Sequence, residues 1–198
     1  MVFNLSALLL VLVGLLSVGP SSPVATRQVA AAECIVMNPR GFESRQSPLD
    51  SLSFDVGGHA VKICYGRPSA RGRTMIGGES VPYRKLWRTG ADEPTMIHTA
   101  APLSVAGIEI GPGSYSLYTV PGESDWELVV NRSISQWGRE SSYTDEVKAQ
   151  EVGRATVSSQ RLENHVETFT MRAEPVSNGA VVLLEWEHTR VSIPVTAN

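Results

Sequence analysis

Between Ser51 and Val56 the chain alternates strictly, with Leu52, Phe54 and Val56 set against Ser51, Ser53 and Asp55, and Gly57-Gly58 then interrupts. A period of two sends alternate side chains to opposite faces of a strand. A glycine pair between two such runs is a hairpin turn. The alternation resumes over Ala60–Tyr65, with Val61, Ile63 and Tyr65 facing one way. Further strands are expected at Thr95–Thr99, Leu103–Ile110, Ser114–Val120 and Trp126–Val130, with Gly111-Pro112-Gly113 as punctuation. Val166–Glu174 carries Phe169, Met171 and Ala173 at period two, and Asn178-Gly179 turns the chain into Ala180–Glu187 and then Arg190–Val195. Only Tyr143–Glu151 reads as helix, with one turn at Tyr83–Trp87.

Many short strands separated by glycine and proline turns, without a βαβ rhythm, predict an all-β fold. The expectation is a single antiparallel β-sandwich, jelly-roll-like, with Leu52, Phe54, Val61, Ile63, Leu117, Leu128, Val182, Leu184 and Val191 in its core. No internal repeat or low-complexity linker divides the chain, so residues 33–198 are read as one domain.

The amino terminus bears on compartment. Met1–Thr26 has no charged side chain, and Leu5–Val18 is an almost unbroken apolar run. That run has the length of a signal-peptide core and falls short of the roughly 20 apolar residues a bilayer span needs. Ala30 and Ala32 offer a small-residue cleavage site before Glu33, so residues 1–32 are read as a leader and the protein as secreted or periplasmic, with no membrane span once the leader is removed. An uncleaved anchor is the competing reading. In an oxidising compartment the two cysteines, Cys34 and Cys64, can form one disulfide; a buried thiol with a free one is the alternative.

A net charge of −3 argues against nucleic acid as a partner. Basic residues nonetheless concentrate in Tyr65–Glu93, where Arg67, Arg71, Arg73, Arg84, Lys85 and Arg88 sit among glycines, prolines and Trp87. Loops on a β scaffold commonly carry function, and arginine recognises carboxylate and phosphate through a planar fork. Arg67, Arg71 and Arg73 could therefore clamp an anion, or pin a long loop through acids such as Asp92, Glu93 or Glu79. Trp87 could be a stacking platform for a sugar or a plug beneath the loop. Asp92 and Glu93 are adjacent and would point to opposite faces of a strand, so at most one could act as a general base, with Arg88 holding substrate. Tyr115 could line a pocket or sit in the core with one hydrogen bond. Asn131 could present its amide to a ligand or cap a turn. Arg67, Arg71, Arg73, Trp87, Arg88 and Glu93 are expected to converge on one face.

His59, His98, His165 and His188 are scattered without H-x-H or H-E-x-x-H spacing. Glu185, Glu187 and His188 read as a solvated strand edge, so no metal site or cofactor is expected. No G-x-S-x-G elbow, G-x-G-x-x-G or P-loop is present. Two classes of function remain: a binding module for an anionic or carbohydrate-like ligand, and a hydrolase using Glu93 or Asp92 with arginines as anion clamps.

The blocks YGRPSARGRTMIGG, LWRTGADE, GPGSYSLYTVP and the W-x-L-x-x-N of Trp126–Asn131 occur in this order. Together they resemble the secreted bacterial domain-of-unknown-function family 2911, over roughly Gln46 to Pro194. The resemblance implies the same fold class and compartment, and no reaction. The family pattern has asparagine where this chain has Asp92, which adds a carboxylate beside Glu93.

Overall fold

The computed structural model describes Met1 and residues 33–198, so the leader expected over 1–32 lies, from Val2 onward, outside the described residues. Nine strands follow in chain order: β1 (Leu49–Val56), β2 (His59–Gly66), β3 (Thr95–Thr99), β4 (Leu103–Val105), β5 (Ile108–Ile110), β6 (Gly113–Val120), β7 (Asp125–Asn131), β8 (Glu151–Val176) and β9 (Gly179–Ala197). They form one sheet in the order β1-β2-β3-β6-β7-β8-β9-β4-β5, with every neighbouring pair antiparallel. The all-β antiparallel expectation holds. The one described α-helix is α1 (Asp145–Lys148), whose Thr144 side chain accepts from the Val147 N–H as an N-cap.

The β1–β2 turn is made by Gly57 and Gly58 with φ of +59° and +83°, values that glycine adopts without steric cost. The expected strand 103–110 is instead two short strands, because Ala106 and Gly107 take φ of +51° and +84° and turn the chain back. β8 begins at Glu151, well before the strand expected from Val166. Its first half presents one polar face to solvent, while Val152, Ala155 and Val157 turn toward the core.

The long β8–β9 hairpin is bent. Its ladder shifts register between Arg161 and Val166 and again between Val166 and Thr170. Such bulges bend a strand and increase its twist. The bend carries the part of β8 beyond the bulges, around Phe169–Met171, onto β2, which is remote in sheet order. There the Tyr65 hydroxyl accepts from the Met171 N–H at 3.1 Å, and the Tyr65 and Phe169 rings meet edge to face at 5.8 Å. Residues from both ends of the sheet therefore share one core, including Val61, Ile63, Leu117, Leu128, Val182, Leu184, Trp186 and Val191. Leu52 and Phe54 are half-buried against it, as befits the edge strand β1.

The central strands are buried on both faces. Opposite the core side, Cys64, Met96, Ser116, Tyr118 and Asn131 are also inaccessible. Two irregular segments help to cover this face. Residues 33–46 are stapled to β2 by the Cys34–Cys64 disulfide. The stretch after β7 reaches back through Ser116 Oγ, which donates to Ser133 O, and through Tyr143, edge-on to Tyr118 at 4.8 Å.

Candidate functional site

Residues 67–93 bridge β2 and β3 without regular structure, and the backbone there is held in uncommon conformations. Of six described non-glycine residues with positive φ, Arg71, Arg84, Thr89 and Asp92 lie in this stretch. Such strain persists only where surrounding contacts over-determine it, and it clusters at functional sites. Thr89, a β-branched residue at φ +58°, is the clearest case. It is buried, its hydroxyl meets the Thr119 hydroxyl at 3.1 Å, and its carbonyl accepts from Thr95 Oγ1 at 2.7 Å. Asp92 sits at φ +62°, a region that asparagine and aspartate tolerate best among side-chain-bearing residues. That conformational demand gives asparagine and aspartate equal standing at this position, independent of charge.

The arginines of the 67–73 bend are committed to protein partners. Arg67 donates to Asp50 Oδ2 at 3.2 Å, to Thr170 Oγ1 at 3.1 Å and to the Phe169 carbonyl at 3.3 Å. Arg71 donates to the side chain and carbonyl of Gln46, and its N–H to Glu167 Oε1 at 2.7 Å. Arg73 folds back on the carbonyls of Ala70 and Ser69. Glu187 completes the anchorage by accepting from the Met75 and Ile76 N–H groups at 3.0 and 2.8 Å.

Glu93 is buried and bound to Arg45, not Arg88. Its oxygens accept from both Arg45 terminal nitrogens at 3.0 and 2.9 Å, and from the Met37 N–H at 2.8 Å. Burial pushes this carboxyl up, but the Arg45 and Met37 hydrogen bonds outweigh it and hold the group below the usual carboxylate range. Trp87 lies in the core, stacked on Trp186 at 5.8 Å and edge-on to Phe169 and Trp126, with its indole N–H donating to the Gly90 carbonyl. Tyr115 is buried and donates to the Gly111 carbonyl. Asn131 is fully buried, giving its amide N–H groups to Tyr143 Oη and Val147 O and accepting from the Ser133 N–H.

Arg88 differs from all of these. The strain at Thr89 and the anchored Trp87 turn it away from the core into a pocket of about 240 Å³ between residues 79–88 and 138–140. Lys85, Arg88, Arg139, Glu79 and Glu140 supply its charged lining. The Arg88 side chain makes one hydrogen bond, from Nη1 to the Asp92 carbonyl at 2.8 Å. Its pKa is lowered by burial and further by the Arg139 guanidinium, against the pull of Asp92. The Arg139 side chain has no hydrogen bond or ion pair among the described residues, and Lys85 is 3.7 Å from Glu140 in an exposed pair. Gly138 makes this geometry possible: a Cβ there would come within 2.7 Å of Arg88 Cβ and Cδ, so the second loop lies directly on the arginine stem. The arrangement can hold an anion between two guanidinium groups and an ammonium group.

Of the nine residues singled out from sequence as ligand-binding, only Trp87 and Arg88 line this pocket. Arg67 is held to β8, Arg71 to Gln46 and Arg73 to the Ser69 and Ala70 carbonyls, so none of the three joins Arg88. Arg139 had no sequence signal beyond a charged pair after Gly138 in a strand-poor stretch. Among the described residues no group of three or more His, Cys, Asp or Glu side chains is placed to hold a metal, and no helix is long and apolar enough to cross a membrane.

A family model described as "Protein of unknown function (DUF2911)" matches residues 47–195. No curated protein and no solved structure matches the chain.

Proposed function

The chain belongs to the DUF2911 family, and from that premise we propose that it is a secreted or periplasmic binding module for a small anion. The anion carries a carboxylate, phosphate or sulfate group and binds between Arg88, Arg139 and Lys85. The observation that carries this reading is that Arg88 and Arg139 line one pocket, shared with Glu79 and Glu140, with no carboxylate hydrogen-bonded to either guanidinium. A half-buried cation beside a second, exposed one is unfavourable, and a bound anion offsets both the burial and the repulsion. The apolar leader-like run and the Cys34–Cys64 bridge support an extracytoplasmic setting. A hydrolytic role is less well supported because Glu93, its main acid–base candidate, has its carboxylate engaged by Arg45 and Met37.

The reading is tested by thermal denaturation of the 33–198 protein with inorganic phosphate, sulfate, citrate or neutral sugars at constant ionic strength. A ligand that binds only the native state raises the midpoint. Stabilisation by at least one of the anions and none by neutral sugars is expected. Stabilisation by sugars alone, or by nothing in the panel, defeats the proposal.

A further inference from the structure

Far from this pocket, the β8–β9 hairpin contains a second cluster whose chemistry neither the fold nor the anion site uses. The ladder pairs Arg161 with Thr189 and then Val166 with Glu187, so residues 162–165 on β8 face the single residue His188 on β9. Bulges of this kind re-aim side chains and recur beside functional sites. Here the bulge brings His165 and His188 together, with ring centroids 5.4 Å apart and planes inclined at 68°.

The hydrogen bonding of the pair fixes its chemistry. His188 Nδ1 lies 3.2 Å from the Leu162 carbonyl oxygen. A carbonyl only accepts, so Nδ1 carries the proton and the neutral ring keeps its lone pair on Nε2. That nitrogen is not among the buried atoms lacking a partner, so it is open to solvent. His165 is exposed and its ring makes no hydrogen bond among the described residues. Metal-ligating histidines characteristically donate their other N–H to a carbonyl or carboxylate, which orients the ring and raises its basicity. His188 already has that support.

We infer that His165 and His188 form a two-histidine site for a borderline divalent transition metal, such as Zn²⁺, Cu²⁺ or Ni²⁺. Two imidazoles bound to one ion at about 2.0–2.1 Å in tetrahedral geometry have ring centres roughly 5 Å apart, close to the separation found here. Imidazole nitrogen selects these ions over Mg²⁺ and Ca²⁺, which prefer oxygen ligands. Glu187 is no third ligand, because its two oxygens hold the Met75 and Ile76 N–H groups. The site therefore has two protein ligands, with its remaining positions open to water or to a donor group of a bound molecule.

The experiment is a titration of Zn²⁺ and Cu²⁺ into the 33–198 protein and into its His165→Ala and His188→Ala variants. Binding is followed by competition with a chromophoric chelator and, for Cu²⁺, by nitrogen hyperfine structure in the electron paramagnetic resonance spectrum. One ion per chain is expected, with two nitrogen ligands. Loss of an outer-shell partner alone costs about tenfold or more, so removing either ligand should weaken binding at least that much, while Mg²⁺ fails to compete. His165 is exposed, so its variant should keep the wild-type melting midpoint and report on ligation alone. Unchanged affinity in His165→Ala, a single-nitrogen Cu²⁺ spectrum, or binding that survives in the double variant overturns the inference.

Discussion

The 67–73 bend and the 85–88/138–140 pocket are both rich in cations, yet they use them in opposite ways. In the bend every guanidinium ends on a carbonyl, amide or carboxylate of the protein, and the arginines act as ties between β2, β8 and the segment before β1. In the pocket one guanidinium makes a single bond to a carbonyl and the other makes none among the described residues. Density of arginine in sequence is the same signal in both places. What separates a tie from a receptor is whether the folded chain supplies the partner.

The largest expected effect lies on the side of the ties. Arg45 and Glu93 are 8% and 3% exposed and form a two-pronged pair. Removing one member of a buried pair leaves the other charge uncompensated, so Arg45→Ala should cost about 3–5 kcal/mol of unfolding free energy. Chemical denaturation of the variant checks this; a loss near zero would show that the pair is not a tie. The same pair predicts acid sensitivity. Because the folded-state pKa of Glu93 lies below its ordinary value of 4.5, its contribution is fully present above that value and is lost as pH falls through the depressed one. Glu93→Gln should flatten that part of the stability-versus-pH curve.

Next in size is the Cys34–Cys64 bridge, which closes a separation of 30 residues and holds the segment carrying Arg45. Reduction should lower stability by about 2–4 kcal/mol and raise hydrogen exchange at Met37, whose N–H rests on Glu93. Smaller again is Arg67→Ala: the Asp50 pair is partly exposed, but carbonyl and hydroxyl bonds to β8 are lost with it. A loss of about 1–2 kcal/mol is expected by urea denaturation. At the bottom of the scale, Arg139→Ala should shift unliganded stability by no more than about 0.5 kcal/mol. A larger loss would place Arg139 among the ties and erase the contrast between the two regions.

Sequence periodicity disclosed most of the sheet, because β1, β2, β6, β7 and the outer parts of β8 and β9 alternate or carry turn residues at their ends. It missed residues 151–165, where a strand with one face in water has few apolar residues to report its period. Nor does periodicity show that strands such as β3 are buried on both faces, because segments 33–46 and 132–148 cover the second face through long-range contacts that leave no local pattern. The site was legible only to the level of the loop. Arg88 was visible within its cluster, but Arg139 lies 51 positions later and meets it only because Gly138 has no side chain to keep the loops apart. Glu93 shows the same limit from the other direction, since its true partner, Arg45, lies 48 residues upstream.

The most direct test of the contrast is calorimetric titration of inorganic phosphate and citrate, at constant ionic strength, into wild type, Arg139→Ala and Arg71→Ala. Binding heat in wild type that survives in Arg71→Ala and disappears in Arg139→Ala, with the unliganded melting midpoint of Arg139→Ala unchanged, is the predicted result. Heats that are the same in wild type and Arg139→Ala, or a loss confined to Arg71→Ala, would contradict it.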